Sequence, residues 1–239
     1  MTLKNQTAVV AGGSSGIGLA TAGRLSAAGA RVIATGRDQT KLSAAIASLG
    51  TNVTGVAFDA SDRVAVDSFF AQTGPIDHLV LAMSGGEGSG VLSELDLRAL
   101  RRGFEAKFWP QIETAQAGLA NLRAGGSITF ITAISARIAR PGVAGLGAIN
   151  GAIEAMIGTL AREIKPSRVN AVSPGVVDTA WWDRFPIEVK TAIFQEQVDI
   201  LPAGRVGNAD EVAHAVQFLI ENSYVTGTVL ECDGGMHLM

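Results

Sequence analysis

The sequence is poor in several features that define function classes. It has one cysteine, Cys232, in 239 residues, which excludes an internal disulfide and a cysteine-rich metal site. It has no basic surplus, since 19 Lys and Arg stand against 22 Asp and Glu for a net charge of −3, so nucleic acid is not an expected partner. No apolar run approaches the roughly 18 to 20 residues of a spanning helix, and the opening MTLKNQTAVV lacks the basic and apolar regions of a secretory signal. The expectation is a cytoplasmic protein with no membrane partner. Tyrosine is almost absent too, with Tyr224 the single example.

What is present is regular alternation. Short β-rich runs at 7–11, 31–35, 52–58, 77–82, 127–132, 168–173 and 228–231 are separated by stretches with helical period, the pattern of a parallel sheet covered on both faces. Most of these runs are nearly continuous Val, Ile, Leu and Ala, as strands buried on both sides require. The pattern predicts one domain over 1–239. The one long irregular segment is 178–204, and a loop of that length in a compact domain is usually functional. Residues 84–90, SGGEGSG, form the only low-complexity tract.

The first strand runs directly into Gly12, Gly13, Ser14, Ser15, Gly16, Ile17 and Gly18, followed by a helix with apolar Leu19, Ala22 and Leu25. Glycines at a strand-to-helix turn let backbone N–H groups approach a pyrophosphate where the helix dipole favours negative charge. Three glycines alone make only a tight turn. Here the motif follows the first strand, opens a helix and leads into a second strand, which favours a dinucleotide. That second strand ends in Gly36 and Arg37. An acid there would accept from a ribose 2′-hydroxyl and repel a 2′-phosphate, whereas a guanidinium suits phosphate. The expected cofactor is therefore NADP(H) rather than NAD(H), against the alternative of a solvated surface arginine.

These residues resemble the short-chain dehydrogenase/reductase family, and the likeness spans essentially the whole chain. The segment from Phe58 to Asp62 resembles the family's adenine-contacting stretch, which implies roles for Asp59 and Ala60. Ala82 and Met83 fall after the fourth strand, where the family places further cofactor contacts. The run RVNAVSPG at 168–175 resembles the strand and turn beneath the nicotinamide, implying Pro174 and Gly175 there, with Val177 and Thr179 holding the carboxamide. The segments at Gly204 and Arg205, Asp210 and Glu211, Thr226 and Gly227, and 233–235 follow the family's closing pattern. The resemblance implies a single Rossmann-type doubly wound sheet of about seven strands and a homodimer or homotetramer.

The same resemblance exposes a departure. The family uses a serine, a tyrosine and a lysine four residues after the tyrosine, a spacing that puts phenol and ammonium on one helix face. Aligning residues 160–163 with the corresponding helix end puts Leu146 at the tyrosine position, Asn150 at the lysine position and Ala133 at the serine position. The family's helical asparagine falls on Lys107, and its Asn-Asn-Ala-Gly segment reads Leu81, Ala82, Met83 and Ser84. No shift of register supplies a phenol, because Tyr224 belongs to the segment before the last strand. A residue contributed across an oligomer interface is the remaining source.

Two residues are candidates to replace the missing groups. Lys107 would supply positive charge near the nicotinamide or substrate oxygen, and Pro110, which clashes with the carbonyl of Ala106, should distort the helix and open Lys107 to the pocket. The alternative is a solvated helix lysine. Asn150 would keep a weaker ribose contact, or is simply a polar residue at a helix start. Ser135 is expected in the loop after its strand. His78, His214 and His237 have no metal or nucleophile spacing and read as structural. Trp181, Trp182, Phe185 and Phe194 lie in the segment resembling a substrate lid, suited to an apolar or aromatic ligand or to packing alone.

The function expected is an NADP(H)-dependent oxidoreductase acting on a small, apolar or aromatic carbonyl or alcohol with a non-standard proton donor. The competing expectation is a catalytically silent NADP(H)-binding subunit or sensor that partners an active homologue in a hetero-oligomer. Non-redox chemistry on the same scaffold ranks below both.

Overall fold

A computed structural model describes residues 3–239. In chain order its elements are β1 (Thr7–Ala11), α1 (Gly16–Ala27), β2 (Arg31–Gly36), α2 (Gln39–Ile46), β3 (Val53–Ala57), α3 (Arg63–Gln72), β4 (Ile76–Leu81), α4 (Leu97–Gly118), β5 (Leu122–Ile131) and α5 (Ala144–Glu163). There follow β6 (Arg168–Pro174), β7 (Val177–Asp178), α6 (Ile187–Ile200), β8 (Gly207–Asn208), α7 (Ala209–Glu221) and β9 (Val229–Cys232). Seven strands form one sheet in the order β3-β2-β1-β4-β5-β6-β9, every neighbouring pair parallel. The order reverses direction between β1 and β4. At such a switch point the strands' carboxyl ends leave a crevice that the helices do not cover.

Alternation along the strands distributes the core to both faces. Ala8, Val10, Val80 and Val172 point to one side, where Ala22 and Leu25 of α1, Leu42 of α2 and Val212, Val216 and Leu219 of α7 cover them. Val9, Ala11, Leu79, Leu81, Val169 and Ala171 point to the other, against Phe69 and Phe70 of α3, Ala115 of α4 and Ile153 and Ile157 of α5. Each fully buried Leu, Ile or Phe contributes about 1.5 to 3 kcal/mol, so both layers are held by their inward stripes.

All seven expected strands are in place, with β5 beginning at Leu122, earlier than the apolar run alone indicated. Three expectations change. The segment 178–204 is largely helical: a short 3-10 turn at Ala180–Arg184 precedes α6. Its helix was hard to read because only Gln197 is buried, so no apolar stripe marks the period. Pro110 does not break α4, which runs unbroken from Leu97 to Gly118. Finally, α5 is a 20-residue helix long and apolar enough by composition to cross a membrane. The sequence reading found no such run. In the fold α5 is a core helix, burying Ile149, Ile153 and Ile157.

Candidate active site

A cleft of about 950 Å³ opens at the switch point. All the residues expected to hold a cofactor line it: Gly12, Ser14, Ser15, Gly16, Ile17, Gly18, Arg37, Asp59, Ala60, Ala82, Met83, Pro174, Gly175, Val177 and Thr179. Lys107 and Asn150 line it too.

The floor is built by close backbone approach. A Cβ on Gly18 would lie 2.1 Å from the carbonyl oxygen of Gly12, and one on Gly12, at φ +84°, would lie 2.7 Å from the Ala82 carbonyl carbon. Only glycine lets the end of β1 fold back over the start of α1 while touching the end of β4. The N-cap of α1, Ser15, makes no side-chain cap bond, and its first turn carries no acid. Its leading N–H groups have no intrahelical partner and border the cleft, which is the donor arrangement an anion requires.

At one end of the cleft stand Arg37 and Lys41, with Arg37 directly after Gly36, the last residue of β2. A Cβ at Gly36 would lie 3.2 Å from Ser14 Oγ, so that hydroxyl borders the same corner. Lys41 was missed in the sequence. Its signal was its spacing: four residues after Arg37, on the opening turn of α2, whose cap Asp38 accepts from the Lys41 N–H. Asp59 faces this end. Its carboxyl accepts from the N–H and hydroxyl of Ser61 at 3.0 and 2.8 Å, and these bonds, with the nearby Arg37 charge, hold it below the usual carboxylate range.

Midway along, the closest Thr179 atom would lie 3.4 Å from a Cβ on Gly16, so the glycine turn lies against the residue that follows β7. Gln111, fully buried on α4, donates to the carbonyls of Met83 at 2.9 Å and Ile131 at 3.1 Å. It ties the ends of β4 and β5 to the helix that carries Lys107.

The inner wall is made by Thr132, Ala133, Ser135, Leu146 and Asn150. No tyrosine is among the cleft residues, and Tyr224 is 97% exposed elsewhere. Ser135 sits in a 3-10 turn after β5. Leu146 and Asn150 share a face of α5, where Asn150 Nδ2 donates to Leu146 O at 2.9 Å and to Ser135 Oγ at 3.1 Å. Both amide hydrogens are thus used. Asn150 Oδ1 is buried with no partner among the described residues, so what the residue has left to offer a ribose is an acceptor.

Lys107 is not a solvated helix lysine. It is 7% exposed, and its Nζ donates to Thr132 O at 3.0 Å. Burial lowers its pKa from 10.5 to about 8, partly opposed by Glu154. The Thr132 hydroxyl donates to Glu154 Oε1 at 2.8 Å, and Glu154 Oε2 accepts from Arg137 Nε at 2.9 Å. Arg137 Nη1 continues the chain to Glu231 at 2.5 Å.

The segment 178–204 closes the outer side. Trp181, Trp182, Phe185 and Phe194 pack ring on ring. Trp181 Nε1 donates to Gly85 O at 2.8 Å and Trp182 Nε1 to Val177 O at 2.9 Å, so both indoles are pinned to the cleft rim. Arg140 before α5 pairs with Glu196 on α6 at 2.8 Å. The glycine-rich tract is a packing hub: a Cβ at Gly103 would meet Glu87 O at 2.5 Å and one at Gly145 would meet Gly88 O at 2.2 Å.

Two histidines have structural partners. His78 is buried between Ser127 Oγ and Gln6 Oε1, each 2.8 Å away, and burial lowers its pKa to about 4. His237 meets Asp233 Oδ2 at 2.8 Å. Among the described residues no cluster of His, Cys, Asp and Glu could hold a metal.

Sheet order and crevice together define a doubly wound α/β protein of the Rossmann class. Residues 11–237 match the family described as enoyl-(acyl carrier protein) reductase. The chain is 31% identical over 257 aligned residues to 2,3-dihydroxy-2,3-dihydro-p-cumate dehydrogenase of Pseudomonas putida, covering 100% of this chain and 97% of that one. It is 28% identical to 3-oxoacyl-(acyl-carrier-protein) reductase FabG of Escherichia coli, covering 100% of each. A small-chain dehydrogenase solved in complex with NADPH superposes with a TM-score of 0.86 at 33% identity, over 98% of this chain and 99% of that one. The chain belongs to the short-chain dehydrogenase/reductase family, a family of oxidoreductases.

Proposed function

We propose that the protein is an NADP(H)-dependent oxidoreductase whose proton donor is Lys107 rather than a tyrosine. The cofactor reading is supported by the glycine floor, the uncapped α1 and, at the expected ribose, two cations with no acid at the end of β2. The related enzyme solved with NADPH supports it as well. Arg37 and Lys41 would hold a 2′-phosphate, Ser14 to Gly18 the pyrophosphate, Asp59 and Ala60 the adenine, and Pro174, Gly175, Val177 and Thr179 the nicotinamide. When bound, NADPH supplies the reducing electron pair with its hydrogen.

The observation that carries the chemical reading is the buried amine of Lys107. An ammonium has three N–H donors and Thr132 takes one, which leaves two for a substrate oxygen. Its pKa of about 8 keeps it protonated at neutral pH yet able to release the proton, the condition for a general acid. In carbonyl reduction the proton passes from Nζ to the substrate oxygen, and solvent later returns one to the amine. Asn150 Oδ1 accepts from a ribose or substrate hydroxyl. The lid aromatics exclude water and favour a small apolar or aromatic carbonyl or alcohol. The Pseudomonas relative is named for a cyclic diol carboxylate, an alcohol substrate. The working form is a homodimer or homotetramer.

One observation favours a second reading. Leu146, Ala133 and Asn150 provide no phenol, serine hydroxyl or ammonium at the centre of the wall, which suits a silent NADP(H)-binding subunit or sensor partnered by an active homologue. An NADPH fluorescence titration followed by a panel of aldehydes, ketones and quinones separates the two. Binding with turnover supports the enzyme. Tight binding with no oxidation of NADPH anywhere in the panel supports the silent subunit.

A further inference from the structure

Apart from Arg37 and Lys41, four cationic side chains line the cleft, and three are compensated. Arg102 is paired with Glu87 at 2.5 Å. Arg140 is paired with Glu196 at 2.8 Å. Lys107 has Thr132 O and the charge of Glu154. Arg184 has no carboxylate partner among the described residues.

Its position is nonetheless fixed three times over. Arg184 Nε donates to Trp181 O at 2.8 Å, and its guanidinium carbon lies 4.4 Å from the centre of the Trp181 ring. A Cβ at Gly86 would lie 1.3 Å from Arg184 Nη1, so the glycine loop makes room for the guanidinium. Stacking and the single Nε bond leave the terminal N–H groups without an acceptor among the described residues, and Arg184 borders the same cleft as Lys107 and Asn150. An exposed arginine held this way has lost part of its side-chain freedom before any ligand arrives, so a bidentate acceptor gains more from its fork. The same cleft is lined by apolar Leu146, Ile149, Ile193, Trp182 and Met236.

We propose that the cleft selects carbonyl or alcohol substrates carrying a carboxylate on an apolar body, and that Arg184 is the residue that holds the carboxylate. This rests on the oxidoreductase reading for the identity of the reacting group, but the carboxylate contact is testable apart from it. The carboxylate would bridge Nη1 and Nη2, while the apolar body lies along the α5 and α6 wall and places the oxygen to be protonated toward Lys107.

The test is calorimetric binding to protein saturated with NADP+, using aryl and cyclohexyl carboxylates beside their methyl esters. The acids should bind at least about 10-fold more tightly than the esters. Arg184→Gln should lower acid affinity about 10- to 100-fold, toward that of the ester, with NADP+ affinity unchanged, and Arg184→Lys should retain part of the preference. Esters that bind as well as acids, no binding by any acid, or an Arg184→Gln variant that loses NADP+ affinity in step with acid affinity would overturn the proposal; the last would assign the arginine to the cofactor phosphates. Acids bound through Arg184 without any NADPH oxidation would remove the oxidoreductase reading and leave this one standing. Wild-type enzyme that reduces neutral ketones as readily as keto acids would do the reverse.

Discussion

Lys107 and Thr132 are joined at 3.0 Å through the lysine Nζ and the threonine carbonyl, and the same threonine offers its hydroxyl to Glu154 at 2.8 Å. One residue at the end of β5 thus connects a buried amine on α4 to a partly buried carboxylate on α5. The carboxylate opposes the effect of burial on the amine, and Arg137 beyond it balances the remaining charge.

This arrangement predicts a particular pH dependence. The acid form of Lys107 is the proton donor, so carbonyl reduction should fall as pH rises through about 8. Glu154 raises the lysine pKa, so Glu154→Gln should move the alkaline limb to lower pH. A kcat/KM profile of the two proteins checks this. A limb that does not move would remove Glu154 from the account.

Stability should change in the opposite sense to activity. The folded pKa of Lys107, about 8, lies below its ordinary 10.5, so between those values the unfolded chain binds more protons and stability rises with pH. The penalty is complete below about pH 8. Lys107→Met removes it and leaves the Thr132 carbonyl unpaired, which costs about 1 kcal/mol of the gain. A net stabilisation of roughly 2 kcal/mol at pH 7 is expected from urea unfolding, together with loss of turnover.

The floor of the cleft has no room for a methyl group. Gly18→Ala would put Cβ 2.1 Å from the Gly12 carbonyl oxygen and should cost roughly 3 kcal/mol or abolish folding. Any folded fraction should lose NADPH affinity. Thermal unfolding with and without NADPH reads both effects, and a folded variant that binds normally would contradict the role given to this turn.

Much of this site was legible because its signals are local. The glycine turn needs specific residues at fixed offsets, and all the positions read from it and from the motifs after β3, β4 and β6 line one cleft. The strands were legible for the same reason, since burial on both faces leaves continuous apolar runs. Lys107 could be singled out by position, but its burial could not, because an unbroken helix through Pro110 and a carbonyl partner 25 residues away are tertiary facts. Helix α6 escaped because it buries almost nothing. Arg184 escaped because its meaning lies in what does not pair with it.

The cofactor preference has its own test. Arg37→Gln should weaken NADPH about 10- to 100-fold while changing NADH little. Lys41→Gln should act in the same direction. Fluorescence titration with each nucleotide measures both, and equal losses for NADPH and NADH would assign these cations to something other than the 2′-phosphate.

The central claim is that a buried lysine does the work of the absent phenol. The direct measurement is the rate of NADPH oxidation across the carbonyl panel as a function of pH, for the wild type and for Lys107→Met, with NADPH affinity measured in parallel. The account predicts wild-type turnover that declines through about pH 8, and its loss in Lys107→Met with NADPH affinity retained. Turnover in Lys107→Met equal to that of the wild type, or a wild type that binds NADPH and never oxidises it, would contradict it.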